Sequence, residues 1–232
     1  MSYPVNIDAS GRSAAVIGGG AVALRKVKGL LAAGVRVTVV APDLCPEIRT
    51  LADRNELLAL PRAYRSGDLD GAFLVFAATN DEKLNTQVSK DAAERGVLVN
   101  VADRPSLCTF TLPAVVRRGD LTLAVMTEGR CPALARVLRE ELELRYTEEF
   151  GTLLEFMGRL RDTMTSRGWD SERILQSLSD LYREGLSRKL AAGGRERLEG
   201  FLQQRLGRDF PVPAEPVPED ERSRARFTPG GR

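Results

Sequence analysis

Residues 13–23, SAAVIGGGAVA, join an apolar run of strand length to a glycine loop. The loop reads G-x-G-x-x-A from Gly18 through Gly20 to Ala23, and apolar residues at helical spacing follow it as far as Gly34. In such a loop Gly18 permits a tight turn, Gly20 lets a pyrophosphate approach the backbone, and Ala23 keeps helix and strand close. The N–H groups at the helix N-terminus favour phosphate. An ordinary glycine turn is the alternative, but the second strand that follows the helix favours a dinucleotide site.

Further apolar runs repeat this alternation of strand and helix, at residues 35–40, 56–60, 73–78 and 97–101. Strands that alternate with helices pair in parallel through right-handed crossovers. We therefore predict an α/β fold with a Rossmann-like, doubly wound parallel sheet. Ligands of such sheets bind at the carboxyl ends of the strands. The segments expected at that edge are Gly18 to Ala23, Pro42-Asp43, Thr79-Asn80 and Asp103.

The pattern changes after Asp103. Two short alternating runs, 107–112 and 120–126, predict an antiparallel pair of strands. A helix is predicted from Pro132 to about Tyr146, and three later helical stripes lie around residues 150–160, 174–181 and 198–206, the second behind a cap at Asp170 or Ser171. We interpret all these stripes as core. The resulting domain prediction is a dinucleotide-binding domain at 1–105, a dimerisation region at 106–146, a helical domain at 147–210 and a disordered, proline-rich tail at 211–232.

The composition excludes several classes of protein. The 232 residues are 43% hydrophobic and 28% charged, as in a soluble globular protein, and no run is long enough to span a bilayer. We expect no membrane partner and a cytoplasmic location, because the N-terminus lacks an apolar signal segment. Three cysteines without C-x-x-C spacing predict neither a zinc site nor a disulfide framework. The net charge of +2 argues against nucleic acid as a partner. Since histidine is absent, any base or metal ligand must be Asp, Glu, Cys, Lys or Tyr.

A series of motifs in fixed order resembles the precorrin-2 dehydrogenase family, whose module also forms the N-terminal half of siroheme synthase. The motifs are G-G-G-x-V-A-x-R-K at 18–26, V-x-A-P-D at 39–43, A-A-T-N-D at 77–81, V-N-V-A-D at 99–103, F-T-L-P at 110–113 and C-P-A-L-A-R-V-L-R-E at 131–140. The resemblance is close over about residues 5–146. It implies oxidation of precorrin-2, a tetrapyrrole, to sirohydrochlorin with NAD+, and in some members iron insertion as well. We expect no methyltransferase domain, which siroheme synthase also carries, within these residues.

The resemblance also implies roles for individual residues. Asp103 matches an aspartate proposed to act in both oxidation and chelation, and a carboxylate at the cofactor edge suits the proton loss that accompanies hydride transfer. A turn-forming aspartate before Arg104-Pro105 is the alternative. The implied cofactor-binding residues are Gly18, Gly20, Ala21, Val22, Pro42, Asp43, Thr79 and Asn80, and the implied substrate-binding residues are Asn100, Arg104, Arg130 and Cys131.

A substrate with many carboxylates requires a basic site. Six arginines lie between residues 104 and 139, where only Asp120 and Glu128 are acidic, although about half of these arginines fit a solvated surface equally well. Cys131 stands where many relatives have serine. Its place beside Arg130 at a helix N-terminus favours a thiolate, which could ligate metal together with Asp103 if the chain is a chelatase. A small residue tolerated at a helix cap is the alternative.

Three functions remain open at this stage. The chain could be an NAD-dependent dehydrogenase with or without ferrochelatase activity, a non-catalytic, dimeric NAD-sensing module, or a chelatase that has lost the oxidation. The second needs neither Asp103 nor a basic pocket beside it. Residues 41–46 contain Asp43 and no lysine or arginine, which predicts NAD rather than NADP. A homodimer is predicted because a two-stranded unit needs a covering surface, and the resemblance points the same way.

Overall fold

Strand β1 (Ser13–Ile17) occupies the centre of a five-stranded parallel sheet. The computed structural model describes residues 2–214. The other strands are β2 (Arg36–Val40), β3 (Leu58–Leu60), β4 (Leu74–Ala77) and β5 (Leu98–Val101), in the order β3-β2-β1-β4-β5. The connecting helices are α1 (Ala21–Ala32), α2 (Pro46–Asp53) and α3 (Glu82–Glu94), with 3-10 turns at Ser66–Leu69 and Pro105–Leu107. The predicted doubly wound sheet is confirmed.

The sheet buries both of its faces. Ala14 and Val16 of β1 pack with α1 and α2 on one face, whereas Ala15 and Ile17 pack with α3 on the other. Burial on both faces explains why the strands are continuously apolar in sequence. Ile17 pairs in register with both Val40 and Ala77, and Ala77 pairs with Val101. Val40 also pairs with Leu60, so all five strands end level with one another, and the segments that follow them start at one edge of the sheet.

The strand predicted at residues 107–112 is wrong. This segment runs beside β5 without joining the sheet: the Thr109 amide donates to the Val99 carbonyl at 2.9 Å, and the Asn100 side-chain amide donates to the Phe110 carbonyl at 3.1 Å. The Phe110 ring packs edge-on against Phe76, with 5.5 Å between the ring centroids. Its alternating apolar residues thus serve the packing of the first unit, which extends to Leu112.

The antiparallel pair begins after Pro113, in a second compact unit. It consists of β6 (Ala114–Arg118) and β7 (Leu121–Val125). Arg117 and Arg118 are the last two residues of β6. The turn itself has two residues, Gly119 and Asp120, and Gly119 has a φ of 53°. A glycine at the first position of a two-residue hairpin turn suits this backbone conformation.

The second unit continues with five helices: α4 (Pro132–Arg145), α5 (Glu149–Ser166), α6 (Ser171–Arg183), α7 (Leu186–Ala191) and α8 (Arg195–Leu206). The predicted cap at Asp170 is confirmed, since its carboxylate accepts from the Arg173 amide at 2.8 Å. Side chains of α5 to α8, among them Phe156, Leu160, Leu181, Leu186 and Leu202, form one core. Of the tail predicted at 211–232, residues 211–214 have no regular secondary structure, and 215–232 lie outside the described residues.

The apolar stripe of α4 is not core, contrary to the sequence interpretation. Leu134 is 49% exposed, Val137 48% and Leu138 36%. Helix α4 packs on β6 and β7, and its one buried residue is the small Ala135. Three of the larger side chains of α4 therefore form an exposed apolar face, which we call the α4 face (Leu134, Val137 and Leu138), whereas Leu142 is partly buried.

Candidate dinucleotide site

The glycine loop is fixed by close backbone contacts with two neighbouring strand ends. Gly18 has a φ of 126° and donates its N–H to the Val40 carbonyl at 3.0 Å. A Cβ atom on Gly18 would lie 2.3 Å from the carbonyl oxygen of Ala78, and one on Gly19 would lie 2.0 Å from that of Asp43. No side chain fits at either position. The requirement for Gly19 was missed from sequence, where only the first and third glycines carried the motif.

Gly20 differs from the two glycines before it. A Cβ atom there would meet no atom within 4 Å among the described residues, so its surface is open. Gly20 is the N-cap of α1, and no described side chain caps this helix or places a carboxylate in its first turn. Ala21 and Val22 are exposed, whereas Ala23 is fully buried. Uncapped N–H groups on an open helix N-terminus suit an anionic group such as pyrophosphate.

The end of β2 supplies the next part of the site. Pro42 and Asp43 are both exposed, and Pro42 lines an open depression of about 420 Å³. Arg49 of α2 lines the same depression. The prediction of NAD rather than NADP from residues 41–46 did not include this cation, because Arg49 comes a helical turn later in the chain.

The segment after β4 is held by a buried asparagine. Asn85 of α3 is 6% exposed; its amide donates to the Thr79 carbonyl at 2.9 Å and its oxygen accepts from the Thr79 hydroxyl at 2.8 Å. Asp81 caps α3 by accepting from the amides of Lys83 and Leu84. Asn80, which lies between Thr79 and Asp81, is exposed. Asn85 was also missed, since one polar residue on a helix gives no sign of burial.

Asp103 lies just past the end of β5 and is exposed, with a left-handed φ of 57°. Aspartate tolerates this conformation better than most residues. Its neighbour Arg104 pairs with Glu82 of α3, with 3.0 Å between Nη1 and Oε1. Asn100 is only 8% exposed, and its amide contacts Phe110 and Cys108. The predicted substrate contacts of Arg104 and Asn100 stay predictions.

Lys26 of α1 reaches the same region. Lys26 as a residue is partly buried, and its ammonium lies 6.0 Å from the centroid of the Phe76 ring. Burial lowers the pKa of Lys26, and Arg25 adds to this effect, whereas Asp103 and Cys108 raise it. Lys26 was part of the sequence motif but received no role there.

Arg130 and Cys131 belong to the second unit, where both are exposed at the start of α4. Cys131 is the N-cap, and its carbonyl accepts from the Thr127 hydroxyl at 3.1 Å. Arg118 donates to the Tyr146 carbonyl at 2.7 Å and so binds the C-terminal end of α4. Arg136 and Arg139 pair with Glu140 and Glu143 on the same helix.

No group of three or more Asp, Glu or Cys side chains that could hold a metal ion occurs within residues 2–214. In the same range, no helix combines the length and apolar character needed to cross a membrane.

A doubly wound sheet with a close-packed glycine loop and an open helix N-terminus defines a dinucleotide-binding protein of the NAD(P) class. The NAD_binding_7 family model, an NAD(P)-binding domain, matches residues 5–114. The solved structure of SirC, a precorrin-2 dehydrogenase, superposes with a TM-score of 0.72 and 30% identity, over 88% of this chain and 98% of SirC. The chain belongs to the precorrin-2 dehydrogenase and siroheme synthase family.

Siroheme synthases are among the curated relatives. That of Thioalkalivibrio sulfidiphilus is 41% identical over 214 residues, which are 88% of this chain and 42% of the relative. That of Nitrosococcus oceani is 37% identical over 213 residues, which are 90% of this chain and 45% of the relative. The chain thus spans less than half the length of these relatives.

Proposed function

We propose that this chain oxidises precorrin-2 to sirohydrochlorin with NAD+, in siroheme or related tetrapyrrole biosynthesis. One observation carries the proposal: the dinucleotide site belongs to a chain that matches nearly the whole of SirC, a precorrin-2 dehydrogenase. A non-catalytic NAD-sensing module is not favoured, because the solved and curated relatives are named as enzymes.

Residues of the first unit would bind and orient the cofactor. The open surface of Gly20 and the amides of Ala21 and Val22 suit the pyrophosphate, and the Asp43 carboxylate suits a ribose hydroxyl. Thr79 and Asn80 border the site on the side of β4, in a segment fixed by Asn85. When bound, NAD+ accepts the hydride that the substrate loses. The same oxidation releases a proton, so that the substrate loses two electrons and two hydrogens in all.

Asp103 is the residue we propose for that proton. It is exposed beside the end of β5, and histidine is absent from the chain. A carboxylate at this edge can accept a proton directly or through one water.

The test is an anaerobic assay with precorrin-2 and NAD+, followed by the absorbance of sirohydrochlorin and NADH. We expect equal amounts of the two products from the wild type. Asp103→Asn and Asp103→Ala should lower kcat by about 10² or more, the usual contribution of acid–base catalysis, with NAD+ affinity unchanged. A wild type that forms neither product contradicts the proposed function. Full activity in both variants would contradict only the role of Asp103.

We also propose a homodimer, with residues 106–146 as the dimerisation region. The support is the α4 face, whose three large apolar side chains are each more than a third exposed. No residue of β7 is fully buried, so this strand also has surface to cover. A two-fold symmetric partner is the commonest way to bury such surface.

A further inference from the structure

Lys26 is a half-buried cation whose side chain contributes to none of the cofactor contacts proposed above. It projects from the second turn of α1 towards the face of Phe76, a β4 residue that is 3% exposed. Phe110 packs edge-on against Phe76, so the aromatic surface below the ammonium is itself fixed. The face of an aromatic ring attracts a cation that lies within about 6 Å of its centroid, so Phe76 helps to position the Lys26 ammonium.

The charges around Lys26 leave it short of negative neighbours. Asp103 and Cys108 are close enough to favour the charged ammonium, yet burial and Arg25 outweigh them and the pKa of Lys26 is lowered. Lys26 takes part in none of the ion pairs of 4.0 Å or less found among the described residues. A partly desolvated ammonium in this setting is stabilised when an anion binds beside it.

We propose that Lys26 binds a carboxylate of the tetrapyrrole substrate, beside Asp103. The inference rests on the proposed function and deepens it by naming a substrate-binding residue in the first unit. Arg104, the residue after Asp103, is less suited to this role because it already pairs with Glu82. A carboxylate held by Lys26 brings the macrocycle next to the group that we propose as its proton acceptor.

A purely structural role for Lys26 makes different predictions. In that case the cation over Phe76 would stabilise the first unit, and its removal would lower thermal stability and NAD+ affinity together. A substrate-binding role predicts that removal changes substrate affinity alone. The two roles can be separated by measuring stability, NAD+ binding and tetrapyrrole binding on the same variants.

The experiment compares Lys26→Met, Lys26→Arg and the control Lys28→Met with the wild type. Methionine keeps an unbranched apolar stem, arginine keeps the charge, and Lys28 is an exposed lysine on the same helix. The probe is sirohydrochlorin, titrated anaerobically at several salt concentrations and followed by absorbance. For Lys26→Met we expect its Kd to rise about tenfold or more, as for the loss of one charge-assisted hydrogen bond, and its salt dependence to weaken. Lys26→Arg should stay within about threefold of the wild type, and Lys28→Met should not differ from it.

Each outcome of these measurements either supports or overturns the proposed role of Lys26. Unchanged sirohydrochlorin affinity in Lys26→Met overturns the inference while the proposed function stands. Parallel losses of stability and NAD+ affinity in that variant overturn it in favour of the structural role. A wild type that neither binds sirohydrochlorin nor oxidises precorrin-2 refutes the proposed function, and the inference with it.

Discussion

Replacing Gly19 by alanine tests whether backbone packing fixes the glycine loop. The new Cβ would lie 2.0 Å from the Asp43 carbonyl oxygen, well inside van der Waals contact. Asp43 or the loop must therefore shift by more than about 1 Å. The same shift strains the 2.8 Å hydrogen bond from the Cys45 amide to the Gly19 carbonyl. Overpacking of about 1–3 kcal/mol and a lost hydrogen bond of about 1 kcal/mol together predict a loss of about 2–4 kcal/mol in the free energy of unfolding.

Gly20→Ala is the matched control one residue further on. Its backbone φ of −92° is open to alanine, and the added methyl group meets no described atom within 4 Å. The free energy of unfolding should therefore fall by less than about 1 kcal/mol, the cost of alanine at a helix N-cap. The methyl group would nevertheless occupy the surface that a pyrophosphate approaches. We expect NAD+ affinity to fall by at least about tenfold, or about 1.4 kcal/mol.

The assay pairs urea unfolding with calorimetric titration of NAD+ for both variants. The expected pattern is a crossed one: Gly19→Ala loses stability, whereas Gly20→Ala stays folded and loses cofactor affinity. Wild-type stability in Gly19→Ala would refute the close approach of the loop to Asp43. Wild-type NAD+ affinity in a folded Gly20→Ala would refute the placement of the pyrophosphate at this helix end.

Three further predictions concern the cofactor, the dimer and metal insertion. NAD+ should be preferred over NADP+ by at least about tenfold in kcat/KM because of Asp43; if NADP+ serves equally well and loses rate in Arg49→Ala, Arg49 decides the choice instead. Val137→Glu on the α4 face should raise the dimer dissociation constant, measured by light scattering, by at least about tenfold, because the new charge would be buried in the interface. The control Leu175→Glu, at a 69% exposed site on α6, should leave the dissociation constant unchanged. A monomeric wild type at micromolar concentration would exclude the dimer. Cys131→Ser should leave oxidation unchanged, and we expect no metal insertion above the uncatalysed rate from the wild type; a wild-type rate that falls in this variant would instead identify Cys131 as a metal ligand.

The sheet and its loops could be predicted from sequence because their signals are local. A strand buried on both faces is a continuous apolar run. The runs here end at the edge of the sheet where ligands bind, and the predicted site residues directly follow such runs in the sequence. The G-x-G-x-x-A loop adds a backbone constraint within six residues. Motifs of this kind need no knowledge of distant neighbours, and the five strands were located to within two residues of their observed ends.

The errors and omissions come from tertiary contacts that the local sequence pattern does not reveal. Gly19 is required because of the Asp43 carbonyl, and Asn85 is buried because Thr79 needs hydrogen-bonding partners. Apolar and polar residues alternate at 107–112 as they do in a strand. In the structure, however, this segment packs Phe110 against Phe76 and hydrogen-bonds to the backbone of β5. The stripe of α4 has helical spacing, and spacing alone cannot distinguish a face packed in a core from one left exposed.

The V-N-V-A-D motif shows how one short segment divides structural and chemical tasks. Asn100 and Asp103 are the two polar side chains of this motif, and they lie in different environments. Asn100 is buried, and its amide joins β5 to the carbonyl of Phe110, whose ring in turn holds the aromatic surface below Lys26. Asp103 is exposed in a left-handed conformation just past the strand. The buried asparagine anchors the segment that follows β5. Asp103 lies close enough to Lys26 to raise its pKa, although no ion pair of 4.0 Å or less joins the two among the described residues. A carboxylate and an ammonium placed in this way are suited to contact one substrate at two points, which is the arrangement that the Asp103 and Lys26 variants examine.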